Sequence, residues 1–209
     1  MIFVKFNDKV NAFMQGKKQD YLDFFRIVGK SKRLPRTGWV REKVKNPESV
    51  AEHSFRVGVL AMVLSDKLGN NLDKEKLMKM ALLHDLGEVI TGDIVVERWD
   101  VIDLKKRGEQ EKAERKGIKD IFDKLGADGE QYKKIYDEMI GRTTPEAKVF
   151  WLLDKLERTI QALEYEEEQG KNLEEFFVNF ESYYAKGPVL EKIFWEMKKN
   201  RPRNRKIIV

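Results

Sequence analysis

The stretch Met78-Lys-Met-Ala-Leu-Leu-His-Asp-Leu-Gly-Glu-Val-Ile-Thr-Gly-Asp93 constrains this chain more than any other. Leu77, Met80, Ala81 and His84 recur at i, i+3, i+4 and i+7, the spacing of one helix face, so His84 falls on the buried stripe. Asp85 follows at once, Gly87 marks a point where the helix can break, and Glu88 stands one turn beyond His84. Burying a His, an Asp and a Glu at the end of an apolar helix costs free energy unless something partners them. A bound cation partners all three. The stretch alone also allows a plainer arrangement, with His84 capping the helix end and both carboxylates solvated.

The rest of the chain narrows the choice. Histidine occurs only twice, at His53 and His84. Ser49-Val-Ala-Glu52 has the form of a capping box, so a helix begins there and runs to about Leu68, with Gly69 as its stop. Its apolar face carries Val50, His53, Val57, Leu60, Ala61 and Leu64, which puts His53 one turn inside. Asp73 can cap the helix that leads to His84. Thr144-Pro145-Glu146 opens another helix, with an N-cap oxygen, Pro in the first turn and an acid near the positive end. That helix runs to about Gln169 and carries Asp154 among Phe150, Leu153 and Leu156.

Other segments read as helices at 20–28, 101–125, 132–140, 172–184 and 188–199, with a turn at Gly126–Gly129. Residues 1–18 form a poorly defined lead-in. Arg36 to Arg41 reads as a loop, and the residues after Glu88 as a short strand or irregular loop. Helical periods dominate throughout, so the fold class is all-α, a helical bundle.

Composition sets the outer limits. At 209 residues the chain suits one sizeable domain. There is no cysteine, which excludes disulfides and thiolate chemistry. The apolar run from Val57 to Leu64 is far too short for a bilayer, and the N-terminus lacks a signal pattern, so a soluble cytoplasmic protein with no membrane partner is expected. Net charge is +5, from 41 basic and 36 acidic residues, a mild bias towards anionic ligands. The basic run from Lys198 to Lys206 raises a nucleic-acid-binding alternative. No aromatic-interleaved basic face accompanies it, so nucleic acid is not the expected partner.

His53, His84, Asp85 and Asp154 make a mixed N/O donor set on apolar helical faces. Such a set suits one divalent transition metal, Mn, Co, Ni, Fe or Zn, better than Ca or a dedicated Mg cage. Taken singly, His53 also fits a satisfied core histidine, and Asp154 an i+4 bridge to Arg158.

The order His53, His84-Asp85, Asp154 resembles the HD-domain metal-dependent phosphohydrolases. Pro47-Glu-Ser-Val-Ala-Glu-His-Ser-Phe-Arg56, Met80-Ala-Leu-Leu-His-Asp-Leu-Gly-Glu88, Thr91-Gly-Asp-Ile94, Thr144-Pro-Glu-Ala147 and Asp154-Lys-Leu-Glu157 are similar to blocks of the HD-domain 5′-deoxynucleotidases. The resemblance spans about residues 20–168 and implies a single HD domain over 1–209, with C-terminal helices and a basic tail beyond. It implies a hydrolase that converts nucleoside 5′-monophosphates to nucleoside and phosphate. His53, His84, Asp85 and Asp154 would hold the metal. Glu88 would act on the attacking water as acid or base, Asp93 would sit beside water or sugar, and Arg36 would hold the phosphate.

Arg33 and Arg41 compete with Arg36 in the same basic loop. In bacterial relatives a Trp directly follows the phosphate-binding Arg, whereas here Thr37 does. Trp39 is the nearest indole and stands as a candidate substrate contact. A homodimer is expected, from the resemblance and from Phe176, Phe177, Tyr183 and Tyr184 read as exposed aromatics. A different substrate on the same centre (a dNTP, a cyclic nucleotide or an alarmone) is the alternative within the class.

Overall fold

A computed structural model describes residues 19–94, 97–98, 101–102, 104–184 and 187–202, with no side-chain description for 97, 98, 101, 102 and 182–184. The expected lead-in at 1–18, Trp99 and the end of the basic tail lie outside these residues.

Ten α-helices, two 3-10 helices (Gly29–Arg33 and Asp123–Gly129) and one small hairpin are described. In chain order the α-helices and strands are α1 (Tyr21–Val28), α2 (Thr37–Arg41), α3 (Val50–Leu68), α4 (Lys74–Leu83), α5 (Glu88–Thr91), a two-residue hairpin β1 (Glu97–Arg98) and β2 (Val101–Ile102), α6 (Leu104–Phe122), α7 (Glu130–Gly141), α8 (Pro145–Gln169), α9 (Glu174–Tyr184) and α10 (Pro188–Asn200). The strands pair antiparallel, Glu97 opposite Ile102 and Arg98 opposite Val101. Among the described residues no helix is long and apolar enough to cross a membrane.

The helix starts obey local chemistry. Ser49 and Glu52 form the reciprocal capping box of α3. Asp73 accepts from the Lys76 N–H at the head of α4, and Thr144 accepts from the Ala147 N–H at the head of α8. Helix α8 is the axis of the molecule. It is buried on most sides, with Ala147, Phe150, Leu153, Leu156 and Ala162 fully covered by α3, α4, α7 and α9. Its buried positions also carry Asp154, Glu157 and Glu166, charged groups that need partners from the helices around it.

Two expected loops are ordered as short helices. Residues after Arg36 form the five-residue α2, and Glu88–Thr91 forms the single turn α5 instead of a strand. The reason for the second is a close backbone approach. A Cβ at Gly87 would meet the Glu114 carbonyl oxygen at 3.0 Å, and one at Gly117 the Gly87 carbonyl oxygen at 3.2 Å. Paired glycines therefore let α6 lie directly on the turn after His84.

The C-terminal region corrects two expectations. Phe177 is fully buried and Phe176 stacks on Trp39 with ring centroids 4.2 Å apart, because α9 lays this face on α8. Phe177 therefore gives no exposed surface for a dimer, Phe176 is half-buried, and the side chains of Tyr183 and Tyr184 lie outside the described residues. Arg201, the middle of the basic tail, is 0% exposed. Its guanidinium pairs with Glu166 and Glu174 and lies over the Phe177 ring at 3.7 Å. The described start of the tail is thus folded onto the core by charge pairing.

Candidate metal centre

Helices α3, α4 and α8 converge on one point, and each brings a polar side chain to it. His53 Nε2 lies 3.1 Å from His84 Nε2 and 3.2 Å from Asp154 Oδ1. His84 Nε2 lies 3.0 Å from Asp85 Oδ2 and 3.9 Å from Asp154 Oδ1. His53 Nε2 and Asp85 Oδ2 are 3.8 Å apart. The four side chains proposed as ligands from the sequence are therefore gathered at one place. His53, His84 and Asp154 offer ligand atoms all within 4.8 Å of one another.

The ring orientations show what this place suits. His84 Nδ1 donates to the Ala81 carbonyl at 2.9 Å, and a carbonyl oxygen can only accept. His53 Nδ1 donates in the same way to the Glu157 carboxylate. With both rings neutral, each would point an Nε2 lone pair at the other across 3.1 Å. Two lone pairs so placed repel unless a proton or a cation lies among them. With the carboxylates alongside, this donor set fits a divalent metal, and its N/O composition favours a first-row transition ion.

Electrostatics in the pocket favour positive charge, whether a proton on His53 or a cation in its place. His53 is pushed up to about 9: burial and Arg36 oppose its charge, but Glu157 and Asp154 outweigh them. Asp154 is held well below the usual range against burial, chiefly by Arg158 and His53. Asp85 is lowered too, with His84 and Arg36 overcoming burial. Each acid is thus ready to bind a cation as the anion.

The other expected residues surround this point and line a cavity of about 260 Å³. Arg36 occupies the N-cap position of α2, and its guanidinium donates to Asp85. Asp93 is held by Thr37, whose N–H donates to Asp93 Oδ2 at 2.6 Å and whose hydroxyl donates to the Asp93 carbonyl at 2.7 Å. Glu88 is 7% exposed, and its Oε2 is buried with no hydrogen-bond partner among the described residues. Burial, and then the charge of Asp85, push its carboxyl well above the ordinary value. A buried acid that borders a cavity and keeps an unpartnered oxygen is suited to proton transfer.

Trp39 takes a different position from the one expected of a substrate contact. It borders the cavity, but is only 2% exposed. Its indole N–H is committed to Glu48 Oε1 at 2.8 Å and its ring to Phe176 and Tyr165. Thr37, next to Arg36 in sequence, is taken up by its two hydrogen bonds to Asp93. Arg41 also lines the cavity, where it pairs with Glu175 at 2.8 Å, and Asp154 does pair with Arg158 through Oδ2 at 3.3 Å while Oδ1 faces the imidazoles.

The HD-domain sequence profile matches residues 28–196. The chain belongs to the HD-domain family. This HD domain is 40% identical over 171 residues to the 5′-deoxynucleotidase HDDC2 of Danio rerio, covering 81% of this chain and 82% of that one. It is 36% identical over 159 residues to the human 5′-deoxynucleotidase HDDC2, covering 75% and 74%. A solved structure of a conserved hypothetical protein from Pyrococcus furiosus aligns at a TM-score of 0.69 and 34% identity, covering 85% of this chain and 99% of that one. The HD fold supplies the metal-site helices, and the converging side chains are what give it chemistry.

Some residues at the centre carried no role in the sequence reading. Glu157, Arg56, Glu48 and Glu114 are examples. Glu157 lies three residues after Asp154, and that spacing on a buried stripe was the available signal. The partners it meets come from a helix a hundred positions earlier and leave no local trace.

Proposed function

We propose that this HD-domain protein is a metal-dependent 5′-nucleotidase that hydrolyses nucleoside 5′-monophosphates, with deoxynucleotides as the first substrates to test. The observation that carries this reading is the convergence of two bare imidazole nitrogens and two carboxylates beside an unpartnered buried acid and an arginine. The names of the relatives support the substrate class.

His53, His84, Asp85 and Asp154 would hold one divalent ion, with Mn, Co, Ni, Fe and Zn all compatible with the donors. When bound, such an ion acidifies water and withdraws charge from a phosphoryl oxygen. Arg36 would then compensate the non-bridging oxygens, its planar guanidinium matching a phosphate two bonds at a time. Glu88 would accept a proton from the attacking water or donate one to the leaving 5′-oxygen. Asp93, fixed by Thr37, would orient water or the sugar. Trp39 would act from behind, by setting the floor under α2, and not by touching substrate.

A panel of deoxy- and ribonucleoside 5′-monophosphates, assayed for phosphate release, tests the reading. Glu88→Gln should keep its metal and lose about 10²–10⁴-fold in kcat. Release of pyrophosphate or triphosphate from longer substrates, with none from monophosphates, would reassign the substrate within the family.

A further inference from the structure

Glu157 is 0% exposed and lies behind His53, on the side away from the cavity. Its two oxygens are divided. Oε2 accepts from His53 Nδ1, and Oε1 accepts from Arg56 Nε at 2.8 Å. The Arg56 guanidinium is itself fixed, with one amino group on Glu164 at 2.7 Å and the other on Gln161 at 2.5 Å. The chain of contacts thus runs Gln161 and Glu164 to Arg56, to Glu157, to His53, and across the ring to the gathered donor atoms. Three of these residues lie on α8, which also carries Asp154, and the other two lie on α3.

We infer that Glu157 is the positioning residue for the metal centre: it fixes His53 in the tautomer and orientation that present Nε2 as a donor, and Arg56 holds Glu157 in place as its counter-charge. This inference rests on the metal reading given above. An imidazole can offer Nε2 only if the proton sits on Nδ1, and a carboxylate acceptor at Nδ1 selects that form. A neutral acceptor would select it too, but a full negative charge also makes the ring a stronger donor. Arg56 answers the cost of burying that charge, because an unpaired carboxylate with no solvent access would be strongly unfavourable. His84 needs no such device, since its Nδ1 is held by a carbonyl one turn back on its own helix.

The competing explanation is that Glu157 and Arg56 merely tie α8 to α3. Glu166 provides the control. It is another buried carboxylate on α8, paired with an arginine, Arg201, and it touches no candidate ligand. Metal affinity, read by competition with a chromogenic chelator using Zn²⁺ and Mn²⁺, should fall about 10–100-fold in Glu157→Gln. Glu166→Gln should lose thermal stability but keep wild-type affinity. In the zinc-loaded wild-type protein, long-range ¹H–¹⁵N spectra should show His53 protonated at Nδ1, a measurement that needs no variant to fold. Unchanged affinity in Glu157→Gln, equal losses in both variants, or a His53 proton on Nε2 would overturn the inference. Failure of the wild-type protein to bind either ion would instead overturn the metal reading beneath it.

Discussion

Arg36 and Asp85, 49 residues apart in sequence, are in direct contact at the cavity floor, so the guanidinium rests on one of the four candidate metal ligands. Arg36 is 12% exposed and Asp85 15%, which leaves the pair reachable from the cavity yet shielded enough to matter. Burial works against the Arg36 charge, but Asp85, Asp93 and Glu88 hold it firmly cationic.

This contact puts the Arg36 guanidinium beside the centre, where a phosphate bound there would meet it. Arg36→Gln should lower kcat/KM for a nucleoside monophosphate by roughly 10²-fold, the scale of losing hydrogen bonds to a charged group. Bound metal should remain, because Arg36 supplies no donor atom. Arg36→Lys should recover only part of the loss, since an ammonium cannot form the two-pronged contact. Full recovery with Lys would show that Arg36 serves only as a counter-charge for Asp85.

Glu114 gives a pH signature. It accepts from Gln110 at 2.6 Å and from the Tyr136 hydroxyl at 3.4 Å. Burial pushes its carboxyl from an ordinary value of 4.5 up to about 7, against the Gln110 hydrogen bond and with help from Asp85. Between those values the folded protein binds more protons at this site than the unfolded chain does. Stability from this group is therefore lost as pH rises from 4.5 to about 7, and stays lost above. After discounting for partial solvation the effect is on the order of 2 kcal/mol. Urea unfolding of chelator-treated protein at pH 5 and pH 8 should show Glu114→Gln gaining on wild type only at pH 8. An equal gap at both values would remove Glu114 from the account.

Arg201 tests the C-terminal packing. Replacing it with Met leaves Glu166, 3% exposed, without its counter-charge, holding only the Leu173 N–H. Breaking one side of a buried pair costs about 3–5 kcal/mol, which for a chain of this size lowers Tm by roughly 10 °C. A thermal shift within a degree of wild type would mean that the tail does not dock as described.

How much of this was legible in the sequence depends on the range of the interaction. His53, His84 and Asp154 could be placed because a 3.6-residue period assigns a side chain to a face from local information alone. The Ser49–Glu52 box and the Thr144-Pro145 start are local for the same reason. Helix α2 was missed because five residues carry no period. Trp39 was read as a substrate contact because its partners, Phe176 and Tyr165, lie on distant helices. Arg201 was read as part of a charged tail because its carboxylates lie 35 and 27 positions earlier. Short-range signals placed the ligands. Their supports, being long-range, appeared only in three dimensions.

The most direct test is phosphate release from dAMP by purified protein whose metal content has been measured, beside His84→Ala and Asp85→Ala. The wild-type chain should carry one divalent ion per molecule and lose activity when a chelator removes it. Both variants should keep their helical circular dichroism while losing the ion and at least about 99% of the activity, since the cation supplies most of the charge stabilisation. Full activity in either variant, or in metal-stripped wild-type protein, would contradict the account.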